Sequence, residues 1–154
     1  PDHTPYINHP IELLKILAVD ADIQDAVVLM GALLHDTVED TDTTLEEIQI
    51  IFGDDVATVV DQLSDDKSLP KATRKELQVQ HASDLDDRAK LVKLADKIAN
   101  IRDVAIAAPP DWSLERRREY CDWGKRVVDQ MRGIHGELET LFDQAYADAY
   151  ARNT

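Results

Sequence analysis

The chain has 154 residues and a formal net charge of −14, a length that suits one domain spanning residues 1–154 and leaves no room for two independent cores. So acidic a molecule repels polyanions at long range, which excludes a nucleic-acid groove or an anionic membrane surface as the expected partner; a small phosphorylated ligand would need bound metal or converging Lys and Arg against the global field. With 44% hydrophobic and 31% charged residues, five Gly and six Pro, the composition fits a compact helical protein and not a disordered or fibrous one.

The first predicted element is IELLKILAV, where Ile11, Leu13, Leu14, Ile16 and Leu17 recur at helical spacing behind His9-Pro10. DIQDAVVLMGALLHD is apolar nearly all round, which predicts a central helix. In TLEEIQIIF, Thr44 and Glu47 form a capping-box pattern and Gly53 marks the stop. DDVATVVDQLSDD reads as a further short helix, and the polar, basic KATRKELQVQ after Pro70 as a surface helix or partly ordered lid. RAKLVKLADKIANIRDV is periodic through Leu91, Leu94, Ala95, Ile98 and Ile101. Ala107-Ala108-Pro109-Pro110 breaks it, and Ser113 caps a long helix expected from Leu114 towards Ile134. Gly133 and Gly136 interrupt that helix before ELETLFDQAYADAYA. No segment alternates as a strand does and no repeat is present, so the class is all-α. Cys121 is the single cysteine and is read as a buried filler. No apolar run reaches the length of a membrane span and no charged-then-apolar leader precedes the first helix, so a cytoplasmic location is expected. The sequence begins at Pro1 without a methionine, and further residues are expected upstream.

Chemistry concentrates in ALLHDTVEDT. A histidine at a helix C-terminus is ordinary, because the dipole favours positive charge there. Asp36, Glu39 and Asp40 are not ordinary, since the same dipole disfavours carboxylates and VVLMGALL pins this end to the core. Carboxylates held together repel unless a cation joins them, and the imidazole of His35 adds a nitrogen donor. His9 stands just before the first helix, and Asp96 lies at the edge of an apolar helical stripe, where a charge is costly without a partner; a surface pairing with Lys93 or Lys97 is the plainer alternative. Together His9, His35, Asp36 and Asp96 make an N2O2 set suited to Mn²⁺, Fe²⁺ or Zn²⁺. One helical turn separates His35 from Glu39 and Asp36 from Asp40; either the helix runs on and aligns these pairs, or a turn after Asp36 folds the acids back.

The order H…HD…D resembles the HD-domain phosphohydrolases. TPYINHP, ALLHDTVEDTDTTLEEI, FGDDV, DDKSLPK, LVKLADKIANIRD and WSLERRREY together resemble, from Thr4 to about Tyr120, the (p)ppGpp hydrolase domain of the RelA/SpoT homologues, and within it the small stand-alone metazoan type. That resemblance implies a single HD-domain helical bundle without a synthetase domain. It implies His9, His35, Asp36 and Asp96 as metal ligands, Mn²⁺ as the metal, and Glu39 and Asp40 as the pair that orients and deprotonates the attacking water. Lys71, Asn100, Arg116 and Tyr120 fall in motifs similar to the family's nucleotide-contacting positions, with Tyr6 a further candidate. The family's base-holding basic residues would fall upstream of Pro1. The reaction implied is removal of the 3′-pyrophosphate of ppGpp or pppGpp to give GDP or GTP. Two alternatives are a phosphatase for another ribose-phosphorylated nucleotide such as NADPH, and a non-catalytic nucleotide sensor or adaptor, against which the complete ligand set argues. His3, His81 and His135 are read as surface or structural, and Trp112 and Trp123 as packing anchors at the two ends of one helix.

Overall fold

In the computed structural model, which describes residues 5–152, the chain forms helices joined by short turns, with no strand among the described residues. The first helix, α1 (Asn8–Leu14), continues without a break into a π-helical stretch (Lys15–Asp20) in which the Ala21 amide donates to the Ile16 carbonyl. Then come α2 (Ala26–Leu34), a single turn α3 (Thr37–Asp40), α4 (Leu45–Phe52), α5 (Asp54–Leu63), α6 (Lys71–His81), α7 (Asp87–Ala107), α8 (Leu114–Asp129) and α9 (Gly136–Arg152). His3 lies outside the described residues.

Local signals explain most boundaries. The Asp25 side chain accepts from the Val27 amide at the start of α2, the Thr44–Glu47 capping box is closed in both directions, and the Ser113 hydroxyl accepts from the Arg116 amide. Two boundaries differ from the sequence expectation. α1 begins at Asn8, so His9 sits inside the first turn and not ahead of it; Pro10 is tolerated there because the early amides have no intrahelical partner. α8 stops at Asp129, short of Ile134, because the turn that follows needs the positive φ of +93° at Gly133. The KATRKELQVQ segment is a regular helix, α6, ending at His81.

α7 runs through the middle of the molecule, against α1, α2, α5, α8 and α9. Its Val92, Leu94, Ile98 and Ile101 are buried with Leu13, Ile16 and Leu17 from the first helix, Val28 and Ala32 from α2, and Leu138 and Phe142 from α9. A smaller cluster of Ile48, Val56 and Val60 fastens α4 and α5 to the outer side of α2. Because neighbours surround α7, its polar residues are drawn inward too: Lys93 and Lys97 are buried, and Asp96 lies between them in sequence. Among the described residues no helix is long and apolar enough to cross a membrane.

The close approach of α2 to α5 depends on Gly31, where an added Cβ would stand 2.7 Å from Val59 Cγ1, a short branched side chain held in the core. Gly31→Ala is expected to destabilise the protein in urea denaturation, since overpacking costs about 1–3 kcal/mol and the better helix propensity of alanine returns at most about 1 kcal/mol. A midpoint unchanged or raised would contradict this packing.

Candidate metal centre and active site

The last turn of α2 sets the tautomer of His35. Its Nδ1 donates to the Ala32 carbonyl at 2.6 Å, which leaves Nε2 to bind either a proton or a metal ion. That Nε2 lies 3.1 Å from Asp36 Oδ2 and 3.5 Å from Asp96 Oδ1, yet satisfies hydrogen-bond geometry with neither. His9, in the first turn of α1, brings its Nε2 to 2.9 Å from Asp96 Oδ1. Among the described residues, one donor atom from each of His9, His35 and Asp96 falls within 4.8 Å of the others. Asp36, in the turn after α2, stands beside His35 but outside that set of three, its Oδ2 accepting the Tyr6 hydroxyl.

A bare Nε2 facing two carboxylates is repelled by them, so a proton or a metal ion must stand between them. His35 is only 5% exposed, so water does not relieve the conflict. Burial opposes a charged imidazole, but the neighbouring Asp36 and Asp96 carboxylates outweigh it and push the His35 pKa up to about 10. Burial likewise favours neutral Asp96, while Lys97, His35 and His9 hold it well below the usual carboxylate range. The side chains thus call for a cation at their meeting point. Two imidazole nitrogens and the Asp96 carboxylate, with the Asp36 carboxylate next to His35, suit a borderline divalent metal, so the residues present fit one.

Around this centre the chain closes a chamber of about 60 Å³ lined by His35, Asp36, Glu39, Asp65, Gln78, Lys93, Asp96 and Lys97, among others. The one-turn helix α3 resolves the alternative left open by the sequence: the helix ends, and the turn folds Glu39 back. Glu39 Oε1 accepts from the Asp65 amide at 2.7 Å, and burial holds its carboxyl above the usual range despite that hydrogen bond. Asp40 takes another direction, pairing with Lys67 Nζ at 2.8 Å; the same ammonium donates to the Glu39 carbonyl. Asn100, one turn along α7, donates through Nδ2 to Asp96 Oδ2 at 3.1 Å and so orients that carboxylate.

On the His9 side an open groove of about 620 Å³ runs between α1 and α7, lined by Tyr6, Asn8, His9, Glu12, Arg102 and Asp103 among others. Lys71, Arg116 and Tyr120 meet elsewhere, in a cavity of about 360 Å³ between α6 and α8 that also takes Lys75 and Trp112. Burial, with Lys71 and Arg116 nearby, lowers the Lys75 pKa, the mark of a local positive cluster on an acidic protein. Trp123 is more than a packing anchor: its Nε1 donates to the Lys75 carbonyl, and its ring lies 4.5 Å from Lys75 Nζ and 4.0 Å from Lys97 Nζ. Sequence reasoning did not find Lys67, Lys75 or Gln78, and named Lys93 and Lys97 only as surface partners of Asp96. The one legible signal is the spacing of Lys93 and Lys97, four residues apart among Val92, Leu94, Ala95 and Ile98. Lys97 Nζ lies 3.5 Å from Asp96 Oδ2, so that pairing exists, but inside the protein.

A family model described as HD domain matches residues 1–120. The chain belongs to the HD-domain family. It is 49% identical over 148 residues to the guanosine-3′,5′-bis(diphosphate) 3′-pyrophosphohydrolase MESH1 of Xenopus tropicalis, covering 96% of this chain and 83% of that one. The Homo sapiens protein of the same name is 52% identical over 139 residues, covering 90% and 78%. A solved structure described as a metazoan ortholog of SpoT that hydrolyzes ppGpp superposes with a TM-score of 0.91 at 48% identity, covering 96% of this HD domain and 83% of that chain.

Divalent cation binding should therefore stabilise this HD domain. With Mn²⁺ at a hundredfold its Kd, linkage predicts a gain of about 2.7 kcal/mol in unfolding free energy. Asp96→Asn is expected to remove that gain in the same thermal titration, and a variant that keeps the full shift would place the cation elsewhere.

Proposed function

We propose that residues 1–154 act as one domain, a divalent-metal-dependent 3′-pyrophosphohydrolase that converts ppGpp and pppGpp to GDP and GTP with release of pyrophosphate. The observation that carries this reading is the convergence of His9, His35 and Asp96 beside a chamber that Glu39 also lines. Support comes from relatives of about half identity named for that reaction. His9, His35, Asp36 and Asp96 would hold the ion, for which Mn²⁺ is proposed, with Fe²⁺ and Zn²⁺ sharing the donor preference. When bound, such an ion acidifies water and shields phosphoryl charge.

The chain's own groups supply the rest. Glu39, its basicity raised by burial, takes a proton from the attacking water as the water oxygen bonds to the phosphorus on ribose O3′. The P–O3′ bond breaks, O3′ leaves on the nucleoside with a proton taken from solvent, and Glu39 returns its proton to solvent for the next turnover. Asp40 acts through the turn: its pairing with Lys67 fixes the segment that carries Glu39. Asn100 keeps the Asp96 carboxylate in register. Lys71 and Arg116, with Tyr120 at their side, offer charge for the 5′-phosphates, and Tyr6 borders the groove that takes the nucleoside. The nucleotide substrate belongs to the cytoplasm, where we place the protein.

Purified protein in Mn²⁺ buffer is expected to release GDP and pyrophosphate from ppGpp, and parallel assays with NADPH and deoxynucleotides rank the substrates. Glu39→Gln should lower kcat by about 10²–10⁴-fold while the Mn²⁺-induced stabilisation persists, whereas Asp36→Ala should weaken both. Absence of nucleotide 3′-pyrophosphate hydrolysis by the unmodified protein would overturn the reading.

A further inference from the structure

We infer that the space behind the metal centre, with Lys93 at its boundary, is a diphosphate subsite: it receives the distal phosphate of the 3′-diphosphate and then the pyrophosphate product. The inference rests on the function proposed above and makes Lys93 a specificity-determining residue for that reaction.

Lys93 is 8% exposed, in the middle of α7. Lys97 is committed, to Gln78 Oε1 at 3.2 Å, Asp96 Oδ2 at 3.5 Å and the Trp123 ring. Among the described residues Lys93 has no hydrogen bond or ion pair. The stem of Lys93 is enclosed while its ammonium looks onto the two chambers that it lines, so a cation stands there with water and no protein group to answer it. The charge makes sense if an anion arrives.

The place where it would arrive is defined. Lys93 lines the small chamber with His35, Asp36, Glu39 and Asp96, and it also lines an adjoining chamber of about 210 Å³. The second chamber offers Arg74, whose Nε is buried and without a hydrogen-bond partner, and His81; Ser64 and Gln62 also line it but are engaged, with the Val60 carbonyl and with Asp86. Two carboxylates border it, and both are engaged. Asp65 Oδ2 accepts from Gln78 Nε2 at 2.6 Å, and Asp66 Oδ1 accepts from the Ser68 amide and hydroxyl. Unspent donors therefore belong to cations, while the acids have partners.

The cavities suggest how the substrate is divided: the small chamber and the Arg74 chamber meet at Asp65, Gln78 and Lys93, and the groove opens on the His9 side of the centre. The wide groove beside His9 has room for the nucleoside, the reacting phosphorus belongs at the convergence of His9, His35 and Asp96, and what lies beyond is Lys93 and then Arg74. A ribose 3′-diphosphate reaches that far. A ribose monophosphate carries no second phosphate to make that contact, so the site favours the diphosphate by the charge-assisted contact it gains at Lys93.

The test compares the full chain with Lys93→Met, in which an unbranched apolar side chain replaces the buried stem, and with Arg74→Met at the far wall. Isothermal titration with inorganic pyrophosphate, and with orthophosphate as control, reads the subsite without turnover. Lys93→Met is expected to weaken pyrophosphate about 10–100-fold, the effect of losing a charge-assisted contact, and orthophosphate much less. Arg74→Met should weaken pyrophosphate in the same sense. In kinetics, the kcat/KM ratio of ppGpp over guanosine 5′-diphosphate 3′-monophosphate should fall by a similar factor in Lys93→Met. Equal losses on both nucleotides, or unchanged pyrophosphate affinity in a folded Lys93→Met protein, would overturn the subsite. Unmodified protein that binds pyrophosphate through Lys93 yet hydrolyses neither nucleotide would keep the subsite and reject the proposed function instead.

Discussion

The carboxylate of Asp96 is held inside the protein because α7 is walled in by its neighbours, and a carboxylate in that position must be met by positive charge. The fold meets it from four directions: His9 from α1, His35 from the end of α2, Lys97 and Asn100 from α7 itself. Each of these is placed by apolar packing around it. Leu13, Ile16 and Leu17 seat the helix that carries His9, and Val28 and Ala32 seat the helix that delivers His35. The hydrophobic core and the polar centre are thus one construction, in which the buried charge fixes where α1 and α2 must end up on α7.

The same economy governs charge at larger scale. A molecule of net charge −14 would not attract a phosphorylated nucleotide by its overall field. Its cations are instead gathered where helices converge: Lys71, Lys75 and Arg116 in the cavity between α6 and α8, Lys93 and Lys97 beneath them on α7. Trp123 joins the two groups, its ring between Lys75 and Lys97 and its indole N–H fixed to the α6 backbone. An aromatic face is a sound support for two ammonium groups in one place, since it attracts both without neutralising either. Potential for phosphate is therefore local, and the acidic remainder of the surface does not cancel it at contact distance.

The all-α class was legible because periodicity, caps and breakers agreed along the chain: the Thr44–Glu47 box, the Ser113 cap and the proline pair each stand where a helix begins or ends. Errors arose where local signals had to compete with packing. His9-Pro10 reads as a helix entry, but burial of Pro10 and Leu13 draws the helix back to Asn8. At the site, the HDTVED spacing announced that its acids stay close to His35, and the structure puts His9, His35 and Asp96 within 4.8 Å of one another. What spacing could not convey is direction. Glu39 and Asp40 are adjacent in sequence, yet one faces the chamber and the other Lys67. Nor could it convey depth: lysines on a helix are ordinarily solvated, and it is Gln78 of α6 and Trp123 of α8 that enclose Lys97, and residues of α5 and α6 that border Lys93.

The direction of Glu39 has its own physical cause. A helix of four residues cannot hold itself, because nucleation of so short a turn is unfavourable. α3 is fixed from outside: the Thr37 hydroxyl donates to the Leu34 carbonyl, the Asp65 amide to Glu39 Oε1, and Lys67 both to the Glu39 carbonyl and to Asp40. Every tether but the first comes from the segment between α5 and α6. The same segment supplies Asp65, whose carboxylate holds Gln78, which in turn accepts from Lys97 beside Asp96. The turn that presents the proposed base is thereby referenced to α7 through a chain of hydrogen bonds, and not to its own short helix. Geometry at the metal centre then depends on a loop nearly thirty residues downstream of the HD pair, which explains why the motif alone leaves the working position of its second acid undetermined.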